Sequence, residues 1–299
     1  MTREPAIARR LFDRFEPIHA VTYFAPESRS AFDALGLRGF WMGYFAARSA
    51  PLGAVAPELV TATFYNFAHS HVARALPSAW DYVSPAQMLQ AREASAVAAL
   101  RRYGLMGGRL VETAAELLAT AARTAPLDGR PLFAANRALT WPTQPVAKLW
   151  HAATLLREQR GDAHVALLAA TGISGRDSNV LHAAADRVPR EFITRSRQYD
   201  EDEWRRCSAR LAALGFLDAE GALTPAGIDA KNRIEQATDA LAVSAFDALG
   251  DDELELLFNT LTPIARVVVA GGDIPAATPM GLDREDLDDD SAHLGERAQ

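Results

Sequence analysis

The 299-residue sequence predicts a mainly α-helical protein in two tandem units, with one or two small β-hairpins. Three observations carry this. Apolar residues recur at three- and four-residue spacing through most of the chain. Glycines and Ser/Thr-Pro pairs punctuate those stretches at helical lengths. Strand-like sequence is confined to 216–224, with one counterpart expected in the first half.

In chain order, helices are expected over 5–19, 28–35, 38–49, 57–66, 69–76, 85–103 and 109–124. The second half continues with 144–159, 163–170, 175–185, 189–197, 201–214, 225–243 and 251–269. Ser84-Pro85 and Thr224-Pro225 each set an oxygen acceptor before a proline that needs no amide partner, so helices begin there. Gly36, Gly172, Gly215 and Gly250 stand where helices should stop. After Gly215 the segment Phe216-Leu217-Asp218-Ala219-Glu220-Gly221-Ala222-Leu223 reads as a short hairpin.

Composition and charge narrow the function classes. The chain is 49% hydrophobic and 23% charged, as expected of a globular protein. No run approaches the roughly 18 apolar residues that a membrane span needs, and the polar N-terminus lacks an apolar signal core, so a cytoplasmic protein is expected. A single cysteine, Cys207, excludes an internal disulfide and any multi-cysteine metal site. The net charge of −7 divides unevenly. Residues 1–140 carry 15 basic and 11 acidic side chains, residues 141–272 carry 14 and 19, and residues 273–299 carry two and eight. Three domains are therefore expected: a helical, aromatic-rich unit over 1–140, a second unit over 141–272, and a disordered acidic tail over 273–299.

An identical heptad, Ser30-Ala-Phe-Asp-Ala-Leu-Gly36 and Ser244-Ala-Phe-Asp-Ala-Leu-Gly250, invites comparison of the two halves. Residues 43–105 and 163–217 share an order: helix, glycine loop, helix, short helix, aromatic, long helix, glycine turn. An internal duplication is expected, which would make the monomer a pseudo-dimer; a homodimer is the other expectation.

Within 201–214, Trp204, Cys207, Leu211 and Leu214 form one apolar stripe at 3-4-3 spacing. Together with helices 163–170 and 175–185, the hairpin and the Leu223-Thr-Pro-Ala-Gly227 helix entry, this resembles MarR-type winged-helix regulators. Nearly the whole chain is similar to an actinobacterial helix-turn-helix family of largely unassigned function. The segments that carry this are 16–27, 39–48, 149–157 and 279–282. The resemblance implies winged-helix-like units with β-wings, transcription regulation, double-stranded DNA as a partner, and small aromatic ligands held between helices. Carried onto this chain, it puts the exposed face of 201–213, with Arg205 and Arg206, in the major groove and calls for basic residues at the wing tip on phosphate. The best remaining basic strip for DNA is Arg187, Arg190, Arg195 and Arg197, just upstream. Two features oppose duplex binding. The reading helix opens with Asp200-Glu201-Asp202-Glu203, and the wing tip Asp218-Ala219-Glu220-Gly221 has no base. Acids in a first turn cap the helix, but they also occupy the pole that phosphate would use.

The first half concentrates aromatics. His19, Tyr23, Trp41, Tyr44, Phe45, Arg48, Phe64, Tyr65 and His69 are the expected ligand-binding residues, because polar groups interleaved among aromatic rings need partners. His69 and His71, two apart, point about 200° apart on a helix, which is wrong for a shared metal. No catalytic residue, metal site or cofactor is identified, although a cluster of His19, His69 or His71 with His151 stays open for acid–base work or haem. Two functions follow. One is a winged-helix regulator or sensor of a small hydrophobic or aromatic molecule. The alternative is the same scaffold turned to small-molecule binding or catalysis without DNA.

Overall fold

A computed structural model describes residues 3–185, 188–275 and 282–294. In the first half lie α1 (Pro5–Phe24), α2 (Pro26–Ala34), α3 (Gly39–Ser49), α4 (Pro57–Phe64), α5 (His69–Ala75), α6 (Pro85–Arg102), α7 (Arg109–Thr124) and α8 (Pro131–Arg137). The second half contains α9 (Pro145–Ala170), α10 (Gly175–Ala184), α11 (Arg190–Arg197), α12 (Glu201–Ala213), α13 (Pro225–Ala242) and α14 (Asp251–Ala270). Short 3-10 turns lie at 50–52, 78–81, 243–246 and 285–288. The fold is mainly α, as the sequence predicts.

Capping chemistry explains several starts. Ser84 accepts from the Gln87 amide in a capping box, and Thr224 accepts from the Gly227 amide. Gly36, Gly172 and Gly215 end their helices at φ of 82°, 72° and 75°, where other residues are strained. Gly250 does the opposite: at φ −68° it is the N-cap of α14. The two identical heptads therefore sit in different structures, one in α2 and its terminating turn, the other across a 3-10 turn and a helix start. They mark no structural repeat.

Two crossing helices organise the core. The buried surface of α1 runs almost all round, and α1 packs on α2, α6, α9, α13 and α14. The 26-residue α9 replaces the two helices expected over 144–159 and 163–170. The helix runs on through Gly161-Asp162; the Asp162 side chain accepts from the Phe133 amide at 2.9 Å, and burial raises its carboxyl to about 7. The largest core draws on both sides of residue 140, with Leu11, Phe15 and Leu118 packed among the same cluster as Trp150 and Phe258. A second core lies among α2–α6 around Phe45, Phe64 and Met88. A third joins the end of α9 to α10–α12 through Ile173, Trp204, Cys207 and Leu211. Leu214, expected on that stripe, is half exposed at the C-cap of α12.

The expected wing is reduced to one antiparallel bridge, Leu217 to Leu223. Thr224 begins α13 at once, and a Cβ at Gly227 would lie 2.2 Å from the Phe216 carbonyl oxygen, so helix and hairpin are pressed together. Asp218 at the tip accepts from the amides of Glu220 and Ala222, which makes it a turn-former. In the first half, residues 103–108 connect α6 to α7 without a bridge, so the second wing is absent among the described residues. The tail also departs from expectation. Residues 282–294 pack back, burying Leu287 and Ala292. The physical reason is Arg14, fully buried on α1. Its guanidinium donates to Thr262 Oγ1, to the Asp286 carboxylate and to the Asp289 carbonyl. The acids read as a solvated run compensate a buried cation.

Candidate functional site

An open-sided cavity of about 970 Å³ lies between the first-half aromatics and helices α9, α10, α11 and α13. That is at the upper end of the roughly 300–1,000 Å³ usual for small-molecule sites. One wall is aromatic because Phe40, Trp41 and Tyr44 on α3 meet Phe64 and Phe67 around the end of α4. Trp41 and Tyr44 stand edge-to-face at 5.5 Å, and Tyr23 from α1 lies 5.1 Å from Tyr44.

Behind this wall runs a buried polar network. Arg48 donates through Nε and Nη2 to both oxygens of Glu158, each at 3.0 Å, tying α3 to α9. Arg157 donates to the same carboxylate at 3.0 Å and reaches Glu16 of α1 only at 3.5 Å. On α1 the spacing 16, 19, 23 puts Glu16, His19 and Tyr23 on one face. His19 contacts Thr154 Oγ1 through Nδ1 at 3.0 Å and the Tyr23 hydroxyl through Nε2 at 2.9 Å. The Tyr44 hydroxyl accepts from Arg48 at 3.4 Å.

Electrostatics follows from burial. Desolvation pushes the Glu16 carboxyl up to about 7, since its one cation serves Glu158 first. Burial acts on Glu158 too, but Arg48 and Arg157 outweigh it and hold that carboxyl well below the usual range. Burial depresses the His19 imidazole, aided by Arg157, and raises the Tyr23 phenol. At neutral pH this network presents two ion-paired guanidiniums, a neutral His19 imidazole and a neutral Tyr23 phenol. Glu16 Oε2 has no hydrogen-bond partner among the described residues.

The far end of the cavity is ionic. Arg160 pairs with Asp239 at 2.8 Å and Glu235 at 3.3 Å, Lys231 reaches Glu235 at 3.5 Å, and His164 Nδ1 contacts Thr238 Oγ1 at 3.0 Å. His164 and Lys231 hold the Glu235 carboxyl, despite its burial, down at about 2.

At the edge of the cavity the first half meets α10 at a tight turn. Tyr65 has φ 59° and ψ −57°, and the Asn66 amide donates to the Phe64 carbonyl at 2.7 Å, a γ-turn that costs on the order of 1–3 kcal/mol. The second half holds it in place. The Tyr65 hydroxyl donates to the Ile173 carbonyl at 2.6 Å, and Asn179 donates to the Asn66 carbonyl at 2.9 Å and to the Tyr199 hydroxyl at 3.1 Å. A Cβ at Gly175 would sit 1.9 Å from the Tyr65 oxygen, so only glycine lets α10 approach.

Of the expected ligand residues, Tyr23, Trp41, Tyr44, Arg48, Phe64 and Tyr65 line the cavity together. His19 stands behind Tyr23, and Phe45 lies buried beneath the aromatic wall. His69 is elsewhere: its side chain is 51% exposed, near Thr61 and Glu58. Its neighbour His71 is the buried one, ringed by Trp41, Phe45 and Phe67. His151 packs edge-on against Trp141 at 4.8 Å, so these histidines have separate surroundings. Among the described residues no three His, Cys, Asp or Glu side chains converge on a metal-sized point.

The expected DNA contacts scatter. Arg190 pairs with Glu201 at 2.7 Å and lies over Trp204, and Arg205 pairs with Asp202. Arg195 and Arg206 are exposed, with no carboxylate partner among the described residues. Arg197 faces the cavity instead of solvent, and Arg187 lies outside the described residues. The acidic helix start is engaged locally: Asp200 accepts from the Glu203 amide, and Glu203 pairs with Arg176 at 2.7 Å. Sequence reasoning missed Glu16, Arg157, Glu158 and Arg160. The signal for them is a row of charges on helices otherwise read as core.

A family model described as "Helix-turn-helix family" matches residues 8–275. No curated protein and no solved structure shows significant similarity to the chain.

The raised Glu16 carboxyl has a testable consequence. Between the ordinary carboxylate value of 4.5 and about 7, the folded state keeps a proton that the unfolded chain has lost. The stability this contributes is complete below pH 4.5 and is lost as pH rises through 7. Denaturant unfolding of the wild type and Glu16→Gln from pH 4.5 to 8 should show the wild type losing ground steadily to the variant. A difference independent of pH would contradict the assignment.

Proposed function

Because the chain belongs to the helix-turn-helix family, we propose that it is a MarR-like, ligand-responsive regulator or sensor, taking a small hydrophobic or aromatic molecule into the cavity between its halves. The supporting observation is the shared wall. Aromatic side chains of α3 and α4 form one side, and Ser178, Asn179, Phe192 and Arg197 of helices α10 and α11 form the other. A molecule seated there touches the helix that leads, through Gln198 and Tyr199, directly into α12. In the MarR-like arrangement α11 and α12 are the helix-turn-helix pair, so occupancy biases the pose of the reading helix. Double-stranded DNA is a secondary partner in this reading, since the acids at the start of α12 consume Arg176, Arg190 and Arg205.

The ligand half of this reading is tested with 1-aminoanthracene, a neutral planar fluorophore. Its emission should shift to the blue on adding the protein, with a Kd on the order of 10–100 μM. Ser178→Trp, which fills the cavity from α10, should weaken binding at least about tenfold. No shift, or a variant that binds as well as the wild type, would sink the ligand reading.

The DNA half predicts a shallow salt dependence. With Arg195 and Arg206 as the free bases and Arg187 added, two to three phosphates per chain are neutralised, giving a slope of log Kobs on log salt of about −2 to −3. A slope near −6 or steeper per chain, measured by mobility shift on promoter DNA, would mean that another surface reads the duplex.

A further inference from the structure

Arg197 is the one cavity-lining arginine for which no carboxylate or hydrogen-bond acceptor is found among the described residues. Arg10, Arg48, Arg157 and Arg160 are each held by Asp or Glu, and Arg9 pairs with Asp13. The Arg197 guanidinium lies instead over the Phe67 ring at 4.3 Å and the Trp41 ring at 5.6 Å. The cation–π contacts hold the guanidinium against these rings, and its N–H groups make no hydrogen bond among the described residues, so they are available to a carboxylate. Desolvation lowers its pKa, and the neighbouring Arg48 and Arg176 charges press the same way. The guanidinium lies at the cavity surface with its charge unmatched. In the adjoining network Arg48 and Arg157 already share Glu158, and the Glu16 carboxyl is raised to about 7.

From this geometry we infer that Arg197 anchors the anionic group of a planar aromatic ligand, whose rings lie along Trp41, Tyr44 and Phe67. The inference rests on the cavity reading and adds the ligand's charge and its orientation. An anion at Arg197 also couples the two halves directly. The guanidinium belongs to α11, whereas the rings beneath it belong to α3 and the loop after α4. The volume of about 970 Å³ leaves room beyond one or two rings, toward Arg160 and Glu235 at the ionic end. Placing Arg197 here removes it from the set of phosphate contacts expected on the helix surface.

The test compares 2-naphthoate with its neutral isostere 2-naphthamide, each displacing 1-aminoanthracene from the full chain. The carboxylate should bind at least about tenfold tighter, a difference of about 1.4 kcal/mol. Arg197→Met should collapse that ratio to near one, and Arg197→Lys, which keeps the charge without the fork, should restore part of it. Equal affinities in the wild type, or a ratio preserved in Arg197→Met, would overturn the anchor while leaving the cavity reading standing. Failure of both compounds and of the fluorophore to bind would overturn the cavity reading, and the anchor with it.

Discussion

The paired hydrogen bonds between Arg48 and Glu158 hold the cavity's architecture together. They join α3, which supplies the aromatic wall, to α9, which packs on α1, α7 and α13. Both side chains are out of water, so each charge depends on the other: removing one partner of such a buried pair typically costs about 3–5 kcal/mol. Burial of Arg157 and Glu16 follows from the same anchor. Because Glu158 satisfies two guanidiniums, Glu16 is left without a full partner and takes up a proton near neutrality.

A second fastening, the Tyr65 γ-turn, works at the opposite edge. Its backbone is strained, and the strain is offset by hydrogen bonds to Ile173 and Asn179 and by the approach of Gly175. These two fastenings, one ionic and one strained, add to the core that both halves share. Between them the aromatic wall and the α10–α11 pair face each other without closing. The gap is where packing stops, and its polar groups are those that packing left unmatched. Local rules are broken here and kept in the cores.

The sequence made the helical class legible because caps and terminating glycines act locally. Ser84, Thr224, Gly36, Gly172 and Gly215 do what their residue types imply. Gly250 misled, since a glycine's role depends on what surrounds it: it starts a helix instead of ending one. The aromatic half was readable as a cavity wall from the density of rings around residues 40–67. The charged members were not. Arg157 and Glu158 look like surface residues of an Ala/Leu-rich helix until α1 and α3 are packed on them, and their pairing partners lie more than a hundred residues away. Arg197 shows the same limit, because a basic residue on an exposed-looking helix is indistinguishable from a phosphate contact until its neighbours are known. The acidic tail misread for the matching reason: Asp286 is solvated only if Arg14 is ignored.

The central claim is that a molecule in the cavity is felt by α11 and α12. Hydrogen exchange on the full chain, with and without saturating 2-naphthoate, tests it most directly. The account predicts increased amide protection in two separated segments, 63–68 around the γ-turn and 190–204 across α11 and the start of α12, with the third-core residues around 211–223 little changed. Protection confined to the first half, with exchange across 190–204 unaltered at saturation, would contradict it.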